Sequence, residues 1–330
     1  MPAFKFTKVN PGDVLTIDYD LSSIGEFAKI KKAILSAGIT GTWSSDYKKF
    51  TVNTISGNST IDLIVNKYGV DIDFSSLSLG STFTLGKYQV ASETPWDIEW
   101  EIVHQESDYQ IAMAKQMIDL RPFDAKESSN SNSDRQTKGN NNWQYSNIEQ
   151  WLNSDQSNWY SAQHSADAPP SSANVRVSNG VAYNPYDTKP GFLYYWTDEE
   201  KAVLQDMSLT LANPTVDGGG SYTWTGKIWL PTYTQMSGSQ NNSISEGTQF
   251  SKFTDNNSRI KTLHAMCAAN NQFCIDNSIT EGEAWYYWMS SVYPSSSCNS
   301  RDVSSGGSPT DHTRAYTGTR GLAPCIRVPR

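Results

Sequence analysis

Trp96-Asp97-Ile98-Glu99-Trp100-Glu101-Ile102-Val103 alternates apolar and acidic side chains from Trp96 to Ile102. Successive side chains of a strand point to opposite faces, so this period-two pattern puts Trp96, Ile98, Trp100 and Ile102 on a buried face. Asp97, Glu99 and Glu101 then lie on the solvent face. They are read as surface charges rather than as glycosidase carboxylates, which need two groups held at a fixed separation across a sugar. Just upstream, Phe83-Thr84-Leu85-Gly86-Lys87-Tyr88-Gln89-Val90 has the same strand-like composition. The pattern resets around Leu79-Gly80-Ser81, which places a boundary there and divides the chain into residues 1–78 and 79–330.

The first segment reads as a small α+β domain. Val14-Leu15-Thr16-Ile17-Asp18-Tyr19 is strand-like. Ser23 with Glu26 forms a capping box ahead of Ile24, Phe27, Ala28, Ile34 and Leu35, which share one helical face, and Gly38 offers the stop. Phe50 to Ile55 and Ile61 to Val65 alternate around Ser56-Gly57-Asn58, which reads as a hairpin.

In the second segment, Gln110 to Leu120 reads as a strand passing into a helical turn. Ser146 with Glu149 and Thr197 with Glu200 are capping boxes opening short helices, and Asp198, Glu199 and Glu200 favour a helix N-terminus electrostatically. Polar stretches at 124–142, 161–191, 211–226 and 293–319 read as loops, held in place by Trp143, Trp159, Tyr183, Tyr186, Tyr194 and Trp196 in or beside them.

The chain of 330 residues carries a formal charge of -8 without Lys/Arg clusters, so it offers no surface for neutralising phosphates, and nucleic acid is not an expected partner. The start, MPAFKFTKVNPGD, lacks a secretory pattern, and no apolar run reaches the roughly 18 residues of a membrane span, so synthesis in a cytosol without membrane insertion is expected. Cys267, Cys274, Cys298 and Cys325 lack the paired spacing of a zinc site and read as reduced structural thiols; if they oxidised, sequence alone would not choose the pairing. His104, His164, His264 and His312 show no metal-ligand spacing. No metal and no cofactor are expected.

Taken in order, FTLGKYQV (83–90), WDIEWEIVHQ (96–105), SNIEQWLNS (146–154), TDEEKAVLQ (197–205), GKIWLPTYTQM (226–236), WYYWMSS (285–291) and TRGLAPCIRV (319–328) form a series. It resembles a C-type-lectin-like domain family of unknown function from phages and gut bacteria, related in fold to phage tropism determinants and to formylglycine-generating oxidases. The resemblance covers roughly 80–330, with 124–142 and 161–191 as longer inserts, and residues 1–78 resemble nothing comparable. It implies an α+β fold with a twisted antiparallel sheet, the domain's first strand pairing near its last, short helices and long loops on one side. The Glu-Pro-Asn or Gln-Pro-Asp triplet and the Trp-Asn-Asp run of calcium-dependent sugar binding do not occur. The oxidase relatives use a cysteine pair with copper; Cys298 and Cys325 sit in no such pattern, and the chain is not expected to be an enzyme.

The remaining candidate site is YPSSSCNSRDVSSGGSPTDHTRAY (293–316), whose Tyr, Arg, Ser, Gly and Asn resemble an antibody paratope in composition. Tyr293, Asn299, Arg301, Asp302, His312, Arg314 and Tyr316 are its candidate ligand-binding residues, in the region lectin-like phage proteins use for ligand contact. The resemblance implies a virion protein: residues 1–78 mount it on other virion proteins within an oligomeric assembly, and the second domain binds a host-surface glycan or protein. Alternatives are a capsid decoration or tail-assembly protein contacting only neighbouring subunits, and a bacterial surface protein.

Overall fold

The computed structural model describes strand segments 3–6, 15–18, 29–35, 39–43, 49–55 and 59–66, and every residue from 70 to 330. The fold is mixed α+β with several sheets. It divides into two compact units, Met1–Asp73 with Thr197–Val203, and Phe74–Trp196 with Leu204–Arg330.

In the first unit, β1 (Ala3–Phe6), β2 (Leu15–Asp18), β3 (Lys29–Leu35), β4 (Ile39–Trp43), β5 (Lys49–Ile55) and β6 (Ser59–Asn66) form two three-stranded sheets, ordered β1-β6-β3 and β2-β5-β4. The helix expected through Ile34 and Leu35 is corrected: β3 is a strand, paired antiparallel with β6 from Lys29↔Asn66 to Leu35↔Ile61. A short apolar pattern containing Ile30 and Ile34 satisfies either period, and cross-strand pairing overrides helix propensity. Ser23, Glu26, Ile24, Phe27, Ala28 and Gly38 lie outside the described residues. The expected hairpin is corrected too. β5 pairs with β2 and β4, whereas β6 pairs with β1 and β3, so consecutive strands enter different sheets.

The second unit contains β7 (Thr82–Tyr88), β8 (Trp96–Gln105), β9 (Tyr109–Ala114), β10 (Asp119–Leu120), β11 (Val177–Ser178), β12 (Val181–Ala182), β13 (Met207–Ala212), β14 (Ser221–Gly226), β15 (Ile228–Trp229), β16 (Tyr287–Val292), β17 (Asn299–Val303), β18 (Asp311–Arg314), β19 (Gly321–Leu322) and β20 (Cys325–Pro329). One five-stranded antiparallel sheet runs β15-β20-β9-β8-β7. The last strand therefore lies between β15 and β9, with the unit's first strand at the far edge instead of beside it. A second sheet runs β10-β19-β16-β17-β18, and β11–β12 and β13–β14 are separate hairpins.

The opening pattern behaves as its period requires. Ile98, Trp100 and Ile102 are fully buried, whereas Glu99 and Glu101 pair with Lys115 and Lys252 at 2.9 and 2.6 Å, and Asp97 pairs with Lys87. A bulge in β7 between Thr84 and Lys87 contains Gly86 at φ +70°, where a Cβ would fall 2.0 Å from the Trp196 ring. Only glycine combines that backbone angle with so close an approach.

Short helices join these strands: α1 (Ser133–Lys138), α2 (Asn147–Leu152), α3 (Asp198–Val203), α4 (Tyr233–Ser237), α5 (Asn256–Arg259), α6 (Ala265–Asn270) and α7 (Gln272–Asp276). Ser146 caps α2 through Glu149 N, and Thr197 with Glu200 closes a reciprocal capping box. No helix among the described residues is long and apolar enough to cross a membrane. Four expectations are corrected here. The segment after β9 turns into β10 without a helical turn; 124–142 contains α1, capped by Asn132; and 211–226 completes the β13–β14 hairpin. The 161–191 stretch, expected to be a loop, contains the β11–β12 hairpin and packs through rings: Trp159 stacks on Tyr186 at 5.4 Å, and the Trp151 and Trp159 indoles donate to Pro190 O and Tyr186 O, whereas Tyr194 is exposed.

Candidate functional site

The 293–319 stretch, expected to be a loop, is largely a hairpin. Asn299↔Arg314, Ser300↔Thr313, Arg301↔His312 and Asp302↔Asp311 face one another across β17 and β18. Ser300 and Asp302 are buried while Asn299 and Arg301 are half-buried, so the strand has one face in the protein and one toward solvent despite lacking an apolar alternation. The turn closes with Gly307 N donating to Ser304 O and Ser304 N to Ser308 O.

Side chains on the outer face stack. His312 lies flat on Tyr293, with centroids 3.6 Å apart and planes 4° from parallel. The Arg301 guanidinium sits 4.1 Å from the Tyr233 centroid and 5.5 Å from that of Tyr293. Tyr233 opens α4, whose cap is a reciprocal box between Thr232 and Gln235. Arg301 is held from behind: its Nε donates to Asn241 Oδ1 at 3.0 Å, and Asn241 Nδ2 donates to Glu246 Oε1 at 3.1 Å and to Val292 O. Glu246 is fully buried and also accepts from Ala212 N and Ser291 Oγ. Burial pushes its carboxyl upward, opposed by these hydrogen bonds and by the Arg301 charge. Burial likewise lowers the Arg301 pKa. The outcome is a cation held between two rings and braced through its Nε.

Of the sequence candidates, Tyr293, Arg301 and His312 stack together, while Asn299 and Arg314 face each other further along the hairpin; His312 and Arg314 are exposed. Asp302 does not join them. It lies on the opposite face, fully buried, and accepts from Arg320 Nε at 2.7 Å. Burial raises its pKa and Arg320 counters that shift. Tyr316 lies beyond β18, and its backbone accepts from Arg176 N and donates to Lys138 O, stapling two neighbouring segments. The sequence reading missed Tyr233, Asn241, Glu246 and Ser291. Only Tyr233 left a local signal, since Thr232 and Gln235 have capping-box spacing.

Residues 108–330 match the family described as Domain of unknown function (DUF6273). The chain belongs to this family. No curated protein and no solved structure matches it. The DUF6273 segment begins just before β9 and contains the whole hairpin site, whereas β7 and β8 of the larger sheet precede it.

The second unit holds all four cysteines, which are free and buried. Cys325 lies in β20 and Cys298 precedes β17, in different sheets; burial pushes both thiols up. Cys267 hydrogen-bonds with Cys274, which raises its pKa together with burial. His264 caps α6 and stacks on Trp96 at 4.0 Å, and His104 bridges Ser251 and Glu106. Among the described residues, no group of three or more His, Cys, Asp or Glu is placed to hold a metal ion.

Proposed function

We propose that this chain is a non-enzymatic phage virion protein whose second unit is a C-type-lectin-like domain displayed for binding a host-surface glycan or protein, with residues 1–78 mounting it on the particle. The observation that carries this reading is the Tyr233–Arg301–Tyr293–His312 stack on the outer face of β17–β18. Tyr and Arg supply a large share of binding hot spots, and a side chain held in place before binding loses less freedom on contact. Asn241 and Glu246 provide that pre-organisation. A capsid decoration or tail-assembly role would use the same face against a neighbouring subunit.

The test is host adsorption by virions carrying Arg301→Ala or Tyr293→Ala, with melting of the purified variants alongside. Each substitution is expected to weaken adsorption by about 1–3 kcal/mol. Unchanged adsorption by correctly assembled particles overturns the receptor-binding reading. Failed assembly by folded protein transfers the face to subunit contact.

A further inference from the structure

A second site lies in a cavity of about 310 Å3 walled by Val90, Arg121, Asn184, Lys189, Asn270 and Gln272, among others. It shares no lining residue with the hairpin stack. Arg121 is buried and fully engaged. Its Nε donates to Asp119 Oδ2 at 2.7 Å, its Nη1 reaches Asn184 O and Pro185 O, and its Nη2 reaches Val90 O. Asp119 is saturated as well, accepting from Tyr88 Oη, Leu120 N and Asn271 Nδ2 in addition to Arg121.

Lys189 is in a different position. Its Nζ donates to Val90 O, the same carbonyl that Arg121 uses, and an ammonium carries further donors beyond that bond. No carboxylate lies within ion-pair distance of Lys189 among the described residues; Glu93 nearby is turned to Val90 N and Ala91 N. Burial, then the Arg121 charge, lowers the Lys189 pKa to about 8, against the pull of Asp119 and Glu93.

The other polar atoms of the wall have the opposite character. The amide nitrogens of Asn184, Asn270 and Gln272 donate to Gly318 O, Met266 O and Asp276 Oδ1. Their carbonyl oxygens are left as acceptors. The lining therefore offers one cationic donor and several neutral acceptors. A ligand complementary to it carries an anionic group for Lys189 and neutral hydroxyl donors for the amides; a second ammonium is disfavoured beside Arg121 and Lys189. The volume is at the lower end of the roughly 300–1,000 Å3 of small-molecule sites, which admits a ligand of monosaccharide size.

The geometry points to a binding site for a small polyhydroxylated carboxylate, of the uronate class, with its carboxylate on Lys189 and its hydroxyls on Asn184, Asn270 and Gln272. The site is independent of the hairpin reading, and its test leaves that reading untouched. Titration calorimetry on the full chain uses D-glucuronate, D-glucose and acetate as probes. Glucuronate is expected to bind at least about tenfold tighter than either, because each lacks one of the two complementary groups. Lys189→Met keeps the aliphatic stem and is expected to abolish glucuronate binding. Gln272→Trp, at an exposed wall position, fills the cavity and gives the same loss should the first variant fold poorly. No saturable glucuronate binding by the native chain overturns the proposal. So does equal binding of glucose or acetate, or retention of binding by folded Lys189→Met or Gln272→Trp protein.

Discussion

Glu149→Gln is expected to stabilise the larger unit at neutral and alkaline pH. Glu149 is half-buried on α2, and its Oε1 accepts from Trp224 Nε1 at 2.9 Å and from Asn153 Nδ2 at 3.3 Å. Burial raises its pKa to about 7, and the Trp224 bond offsets only part of that shift. An acid whose folded pKa is raised binds its proton more tightly when folded, so its contribution to stability falls as pH rises from the ordinary carboxylate range to about 7. Above that the loss is complete. Each pKa unit corresponds to about 1.4 kcal/mol, which sets the full cost of the ionised group at about 3 kcal/mol. A glutamine can keep the bond from Trp224 without that charge. Urea unfolding followed by tryptophan fluorescence reports the larger unit, because Trp43 is the only tryptophan before residue 74. The variant should exceed the native chain by about 2–3 kcal/mol at pH 8 and lose its advantage near pH 4. A variant no more stable than the native chain at pH 8, or an advantage independent of pH, refutes the reasoning.

Gly86→Ala should destabilise the larger unit by at least about 3 kcal/mol, since the new Cβ meets the Trp196 ring and the left-handed backbone adds strain; a shift in urea midpoint within experimental error would show that β7 relaxes. Cys325→Ser, which puts a hydroxyl at a fully buried position, should cost about 1–3 kcal/mol in the same assay. Copper-dependent oxidation of a thiol peptide by the native protein, lost in Cys325→Ser and Cys298→Ser, would contradict the non-enzymatic reading.

Local chemistry made some elements legible without the fold. The alternation from Trp96 to Ile102 needed only the geometry of a strand, and Ser146 and Thr197 announced their helices because a cap is satisfied within one turn. The β13–β14 hairpin was half legible. Met207, Leu209 and Leu211 are buried in alternation with Ser208 and Thr210, but the Gly218-Gly219-Gly220 run and polar β14 made the region read as loop. In β17 the buried positions are Ser300 and Asp302, whose burial depends on Met289 O, Ser291 O and Arg320 from other segments. No local pattern announces such a strand.

The sequence by itself determined the aromatic α+β character, the strands over 83–88 and 96–103 and the two capped helices; it proposed Tyr293, Asn299, Arg301, His312 and Arg314 within a stretch it read as a loop. Tertiary structure decided that β3 is a strand, because its pairing with β6 supplies the hydrogen bonds a helix would have made internally. It also decided that Asp302 turns inward to Arg320, and that Tyr233, Asn241 and Glu246 brace Arg301 from separate segments of chain. Those assignments depend on donors and acceptors far apart in sequence, whose proximity is set only when the sheets close.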